Sequence, residues 1–195
     1  MSRNSEFPEF AVLTAPFLSN VKVLGVGALD INEQCVEAFE RSSIKALERL
    51  EGVTFHRDLA PILRHRWCQS QALRTLGELR LTLDYDISGE EFFVDAPFLS
   101  TLRKLTIHDG EQPLLTLARK GNAISLEYLE IMGNLPLSTV LAIAESPRLP
   151  KLKTLRYQMQ PYRLLMHKPT ARELDQENWI ERAMQLRKTR LKYGF

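Results

Sequence analysis

Six apolar triplets recur along the chain in the form apolar-x-x-apolar-x-apolar. They are Val21-x-x-Leu24-x-Val26, Leu50-x-x-Val53-x-Phe55, Leu76-x-x-Leu79-x-Leu81, Leu102-x-x-Leu105-x-Ile107, Leu126-x-x-Leu129-x-Ile131 and Leu152-x-x-Leu155-x-Tyr157. Leu18, Leu47, Leu73, Leu99 and Leu149 stand three positions earlier in all but the fifth copy, which has Ala123 there. The middle anchors fall at 24, 53, 79, 105, 129 and 155, so successive copies lie 24 to 29 residues apart. A helical domain scatters leucines at a 3.6-residue period and has no reason to show this longer one. The last two apolar positions bracket one other residue, the alternation of a short strand with one buried face. One such strand has too little apolar surface to fold alone, so the copies must stack into a shared core.

The segments between the strands read mostly as helices. In DINEQCVEAFERSS, Asp30 or Asn32 is the expected N-cap, and Val36, Phe39 and Ile44 are expected to face the core. DLAPILRHRW places Pro61 near a helix start, with Leu59, Ile62 and Leu63 apolar. QPLLTLARKGN has Pro113 early, Arg119 and Lys120 late, and Gly121 as a stop. PLSTVLAIAESP offers Ser138 as a cap and Pro147 as a terminator. The third return, DYDISGEEFFVDAP, reads as a loop. After Tyr157 the period fails, and residues 161–195 form a connector and a terminal helix distinct from the array in 1–160. Thr170-x-x-Glu173 has capping-box spacing, and Trp179, Ile180, Ala183, Met184 and Leu186 share one helical face.

The fifth copy continues to Asn134, completing L-x-x-L-x-L-x-x-N. Over roughly residues 15 to 160 the chain therefore resembles a leucine-rich-repeat protein. Its spacing resembles the longer repeats that follow an F-box in ubiquitin-ligase substrate receptors. The resemblance implies an α/β leucine-rich-repeat solenoid of about six irregular repeats, with a parallel concave sheet, convex helices and a C-terminal capping helix. In that family the Asn bonds the turning backbone. The other copies place Leu29, Asp58, Asp84, Gly110 and Gln160 there, of which Asp58 and Asp84 are expected to do similar work.

The resemblance also implies that a partner protein binds the concave sheet face. The polar strand positions form three rows. The first is Gly25, Thr54, Arg80, Thr106, Glu130 and Arg156; the second is Gly27, His56, Thr82, His108, Met132 and Gln158. The third is Val23, Gly52, Glu78, Lys104, Tyr128 and Thr154. From these, the expected contact residues are His56, Arg80, Lys104, His108, Tyr128, Glu130, Met132 and Arg156, since Arg and Tyr are favoured at interface hot spots. An adaptor of a ubiquitin ligase is an expected partner only if an F-box lies outside this chain, because none is visible before Val21.

Composition changes this picture little. The 195 residues are 44% hydrophobic and carry a net charge of +2, an ordinary globular balance that does not mark a nucleic-acid binder. Cys35 and Cys68 have no metal spacing and cannot form a disulfide framework, as expected of an intracellular chain. There is no secretory h-region, and no apolar run approaches the roughly 18 residues a membrane span needs. A cytoplasmic or nuclear protein is expected. Phosphate-loop, G-x-S-x-G, H-E-x-x-H and C-x-x-C motifs are absent, so no catalysis, cofactor or small-molecule substrate is expected. His56 and His108, two strands apart in one row, would sit roughly 10 Å from each other, too far to share a metal. His65 and Cys68 lack further ligands. The alternative reading is a nucleic-acid or anionic-membrane surface module acting through the basic tail, Arg187, Lys188, Arg190 and Lys192.

Overall fold

The computed structural model describes residues 13, 16–84, 92–133, 135–158 and 181–185. Six strands form one all-parallel sheet in chain order: β1 (Val23–Asp30), β2 (Arg49–Phe55), β3 (Glu78–Leu83), β4 (Lys104–His108), β5 (Tyr128–Met132) and β6 (Thr154–Gln158). Each expected strand forms, and each pairs only with its sequence neighbours. The returns carry four helices: α1 (Glu33–Glu40), α2 (Pro61–Cys68), α3 (Glu111–Lys120) and α4 (Leu137–Ala144). The return from β3 to β4 has no α-helix among its described residues, only turns and a 3-10 segment at Pro97–Ser100.

A repeated backbone fork sets the start of β2 to β6. The Lys22 carbonyl accepts from both Glu48 and Arg49, and the Glu48 carbonyl from both Gly77 and Glu78. Gly77 does the same for Arg103 and Lys104, Arg103 for Glu127 and Tyr128, and Glu127 for Lys153 and Thr154. From β3 to β6 the ladder runs without a slip, so Leu79, Leu105, Leu129 and Leu155 stand abreast, as do Leu81, Ile107, Ile131 and Tyr157.

The second copy departs from its expected alignment. Leu50, not Val53, pairs with Leu79, while Val53 pairs with Leu81 and Phe55 with Leu83. The register shifts between Leu50 and Val53, where Gly52 has φ 79°. That left-handed geometry is cheap only without a Cβ, so glycine accommodates the extra residue of a bulge. The copy therefore begins at Leu47-x-x-Leu50, both leucines fully buried.

Helix starts follow local chemistry. Asn32 caps α1 by accepting from the Cys35 N–H at 2.9 Å, which resolves the choice against Asp30, a residue of β1. Pro61 opens α2. Ser138 does not cap α4: Pro136 occupies the cap position and Ser138 lies inside the helix, exposed. Gly121 ends α3 without a left-handed turn, at φ −63°. A Cβ there would stand 2.6 Å from the Leu117 carbonyl oxygen, so crowding rather than handedness requires glycine.

One continuous core joins the helices to one face of the sheet. Its centre is Trp67, fully buried and packed edge-on to Phe39, Phe55 and Phe98 with ring centroids 6.0, 5.0 and 6.2 Å away. Side chains also staple neighbouring units. Ser70 donates to the Phe39 carbonyl at 3.1 Å, Thr75 to Leu47 at 3.0 Å and Thr101 to Leu76 at 3.0 Å. Ala183 and Met184, in the helical residues 181–185, join the core, while Trp179, Ile180 and Leu186 lie outside the described residues. So do Asn134, the connector after Gln158, the capping box and the basic tail. No helix among the described residues is long and apolar enough to cross a membrane.

Trp67→Ala empties the centre of this aromatic cluster and is expected to cost about 3–5 kcal/mol of unfolding free energy by urea titration. Trp67→Phe should cost clearly less, because it keeps a ring and removes an indole N–H that has no hydrogen-bond partner among the described residues. Equal losses for the two variants would show that the site does not depend on ring packing.

Candidate functional site

The sheet face turned away from the core is polar and open. Cross-strand pairing, rather than motif position, fixes its rows. One row runs Arg49, Glu78, Lys104, Tyr128 and Thr154. Two residues further on, Arg80, Thr106, Glu130 and Arg156 stand abreast, as expected, but Thr54 does not join them. Thr54 pairs with Thr82, whose row continues through His108, Met132 and Gln158.

The bulge moves His56 out of that row. It follows Phe55, the partner of Leu83, and so sits beyond the strand ends, two positions past the row of Thr82 and His108. There it bridges two carboxylates, with Nε2 3.1 Å from Asp30 and Nδ1 3.4 Å from Asp84. The hydrogen bond to Asp30 raises its pKa above the usual imidazole value, helped by the negative charge of both acids and opposed by desolvation. Asp84 also accepts from the Arg57 N–H at 3.0 Å, so this aspartate does bond a turning backbone, that of the preceding unit. His56 is therefore a tie between β1, β2 and the end of β3 and not a member of the open face.

The remaining expected residues stay on the face, with different partners. Arg80, Lys104, Glu130 and Met132 help line one shallow depression of about 280 Å³, together with Arg49, Glu51, Glu78 and Thr106. Arg80 and His108 help line a second, of about 310 Å³, with Glu51, Thr54 and Thr82. Lys104 Nζ stands 5.3 Å from the centroid of the Tyr128 ring. Arg156 lies 3.6 Å from Glu130, which also takes the Gln158 side-chain amide at 3.3 Å and the Thr106 hydroxyl at 3.5 Å. His108 is half-buried. Burial first, and the charge of Arg80 second, push its pKa below the usual value, with Glu130 opposing.

Arg49 and Glu51 are hidden from the motif because Leu50-x-x-Val53-x-Phe55 completes the template, whereas Leu47-x-x-Leu50 puts Gly52 at its last apolar position. The signal that separates the two is Gly52, since a glycine inside a strand pattern marks a bulge. In the structure Arg49 Nε donates to Glu51 at 2.7 Å and lies 3.6 Å from Glu78. Cys35 and Cys68 are buried free thiols pushed up to about 12 by desolvation, so both stay protonated at neutral pH and act as packing residues. Among the described residues no group of three or more His, Cys, Asp or Glu is placed to hold a metal ion. Comparison of the chain with protein-family models, curated proteins and solved structures finds no match.

The two histidines should impose opposite pH dependences on stability. The unfolded imidazole titrates near 6.5. His56 has a raised folded value, so its contribution is fully present below about pH 6.5 and is lost as pH rises through the folded pKa. His108 has a lowered folded value, so stability is lost as pH falls below about 6.5, where the unfolded chain takes up the proton first. Urea titrations across this range should show His56→Gln flattening the upper limb and His108→Gln the lower. An unchanged upper limb in His56→Gln would mean that the two carboxylates do not hold the imidazolium.

Proposed function

We propose that this chain is a leucine-rich-repeat solenoid whose open sheet face binds another protein and which performs no chemistry of its own. The observation that carries the reading is the sheet itself. Six parallel strands follow one another in chain order, joined by short returns, and the face away from the core is polar. Stacking of repeats gives this connectivity, and a partner laid across the strands would meet one side chain from each unit in turn. The core faces of β3 to β5 repeat leucine or isoleucine at paired positions, and β6 continues them with Leu155 and Tyr157, which supports the same architecture. The face carries Arg80, Lys104, Tyr128 and Arg156, residue types that anchor protein interfaces.

Within this reading, the repeat spacing favours substrate recognition in an F-box-type ubiquitin ligase, with the F-box supplied outside this chain. Two buried, protonated thiols fit a reducing compartment, cytoplasmic or nuclear.

A partner recovered by affinity capture from cells tests the face directly. Arg80→Glu combined with Arg156→Glu should weaken its binding at least about tenfold while leaving the unfolding midpoint near wild type, because both side chains are exposed. Unchanged affinity in the double variant would remove the sheet face from the interface.

A further inference from the structure

Two cations on the open face have no carboxylate of their own among the described residues. Arg80 on β3 and Lys104 on β4 share a face of adjacent strands, offset by two residues. Their Cβ atoms are thus about 8 Å apart, close enough for the two long side chains to converge on one group. Both line the same 280 Å³ depression.

The neighbouring acids are already committed. Glu78 stands opposite Lys104 in the ladder but lies within ion-pair distance of Arg49, at 3.6 Å. Glu51 is held by the same Arg49 at 2.7 Å. Glu130 takes Arg156 at 3.6 Å and the Thr106 hydroxyl at 3.5 Å. No carboxylate among the described residues reaches ion-pair distance of Arg80 or Lys104. Lys104 rests on the Tyr128 ring instead. The outer charges, two cations against three carboxylates, thus leave one net negative charge around the positive heads at the centre.

We propose that the depression between Arg80 and Lys104 receives one carboxylate side chain, an Asp or Glu, of a partner polypeptide lying across the strands. The proposal rests on the reading of this face as protein-binding and adds the partner's chemistry. Arg80 supplies a planar fork that fits two oxygens, and Lys104 a point charge, so both donate charge-assisted hydrogen bonds to the same group. The flanking acids choose a peptide over a polyanion. Glu51, Glu78 and Glu130 surround the two cations, so a single negative group is attracted while a run of backbone phosphates meets three carboxylates.

A random-peptide display selection on the full chain tests this. Selected peptides should carry a central Asp or Glu, and replacing that residue by Gln in a synthetic peptide should raise Kd at least about tenfold. Arg80→Glu with Lys104→Glu should lose the acidic peptides and select basic ones instead. The nature of the anion is read from two further peptides. Binding of the Glu form supports the carboxylate site, whereas binding of the phosphoserine form alone would overturn it. Saturation with the acidic peptide should also raise the pKa of His108 in an NMR titration, because the bound charge cancels the field of Arg80. Peptides that are neutral at the centre and insensitive to the charge reversal would overturn this proposal and leave the face a protein-binding one. No enriched peptide, with RNA or anionic vesicles bound through Arg80 and Lys104 instead, would overturn both readings.

Discussion

One backbone carbonyl per unit organises this molecule. The oxygens of Lys22, Glu48, Gly77, Arg103 and Glu127 each accept from two consecutive N–H groups of the following unit. The fork brings each new strand level with the one before it, and the parallel ladder then propagates with its own fixed spacing. Without it a strand could slide by two residues and still keep its leucines on the core face. The fork therefore fixes what the hydrophobic pattern leaves open, and the rows of polar side chains on the other face inherit their alignment from it.

The fork also explains why irregular units are tolerated. The returns between forks differ in length and content, with a helix in some and turns in another, yet each delivers its chain to the same starting level. Extra length inside a strand is absorbed locally. Gly52 takes the surplus residue of β2, and by Thr54 and Thr82 the rows are abreast again. Serine and threonine hydroxyls then tie adjacent returns together through backbone carbonyls, as Ser70 does with Phe39 and Thr75 with Leu47. Such bonds satisfy groups that burial would otherwise strand, and each is replaceable without disturbing the register.

Most of the fold was legible because burial leaves a periodic mark. All six strands and the four α-helices follow from where leucine recurs and where proline, glycine and asparagine interrupt it. The failures share a cause. A template that scores only apolar positions takes Leu50 as the first anchor of the second copy, because Gly52 spoils the match with Leu50 in the middle, and that choice moved Thr54 and His56 by a full alternation. Ser138 looked like a cap because capping is a side-chain habit, but Pro136 already supplied the extended geometry before α4. On the candidate face the identities of Arg80, Lys104, Tyr128, Glu130 and Arg156 were readable as a set. Their pairings were not, since which acid takes which base depends on cross-strand distances that exist only after the register is set.

Pairing decides what the face recognises in the proposed binding. An exposed cation without a partner costs little in the isolated chain, because water solvates it and a surface ion pair would add little stability. The same cation becomes valuable when a partner excludes that water, since the attraction to an opposite charge grows as the local dielectric falls. Arg49 and Arg156 have spent this capacity on Glu51, Glu78 and Glu130. Arg80 and Lys104 have kept it, one beside a half-buried histidine and the other over an aromatic ring. Selectivity then arises from the satisfied pairs as much as from the open ones. They set a negative rim around a positive centre, so in the proposed binding the face discriminates by the placement of charge and not by its total, which at +2 for the whole chain would predict no preference at all.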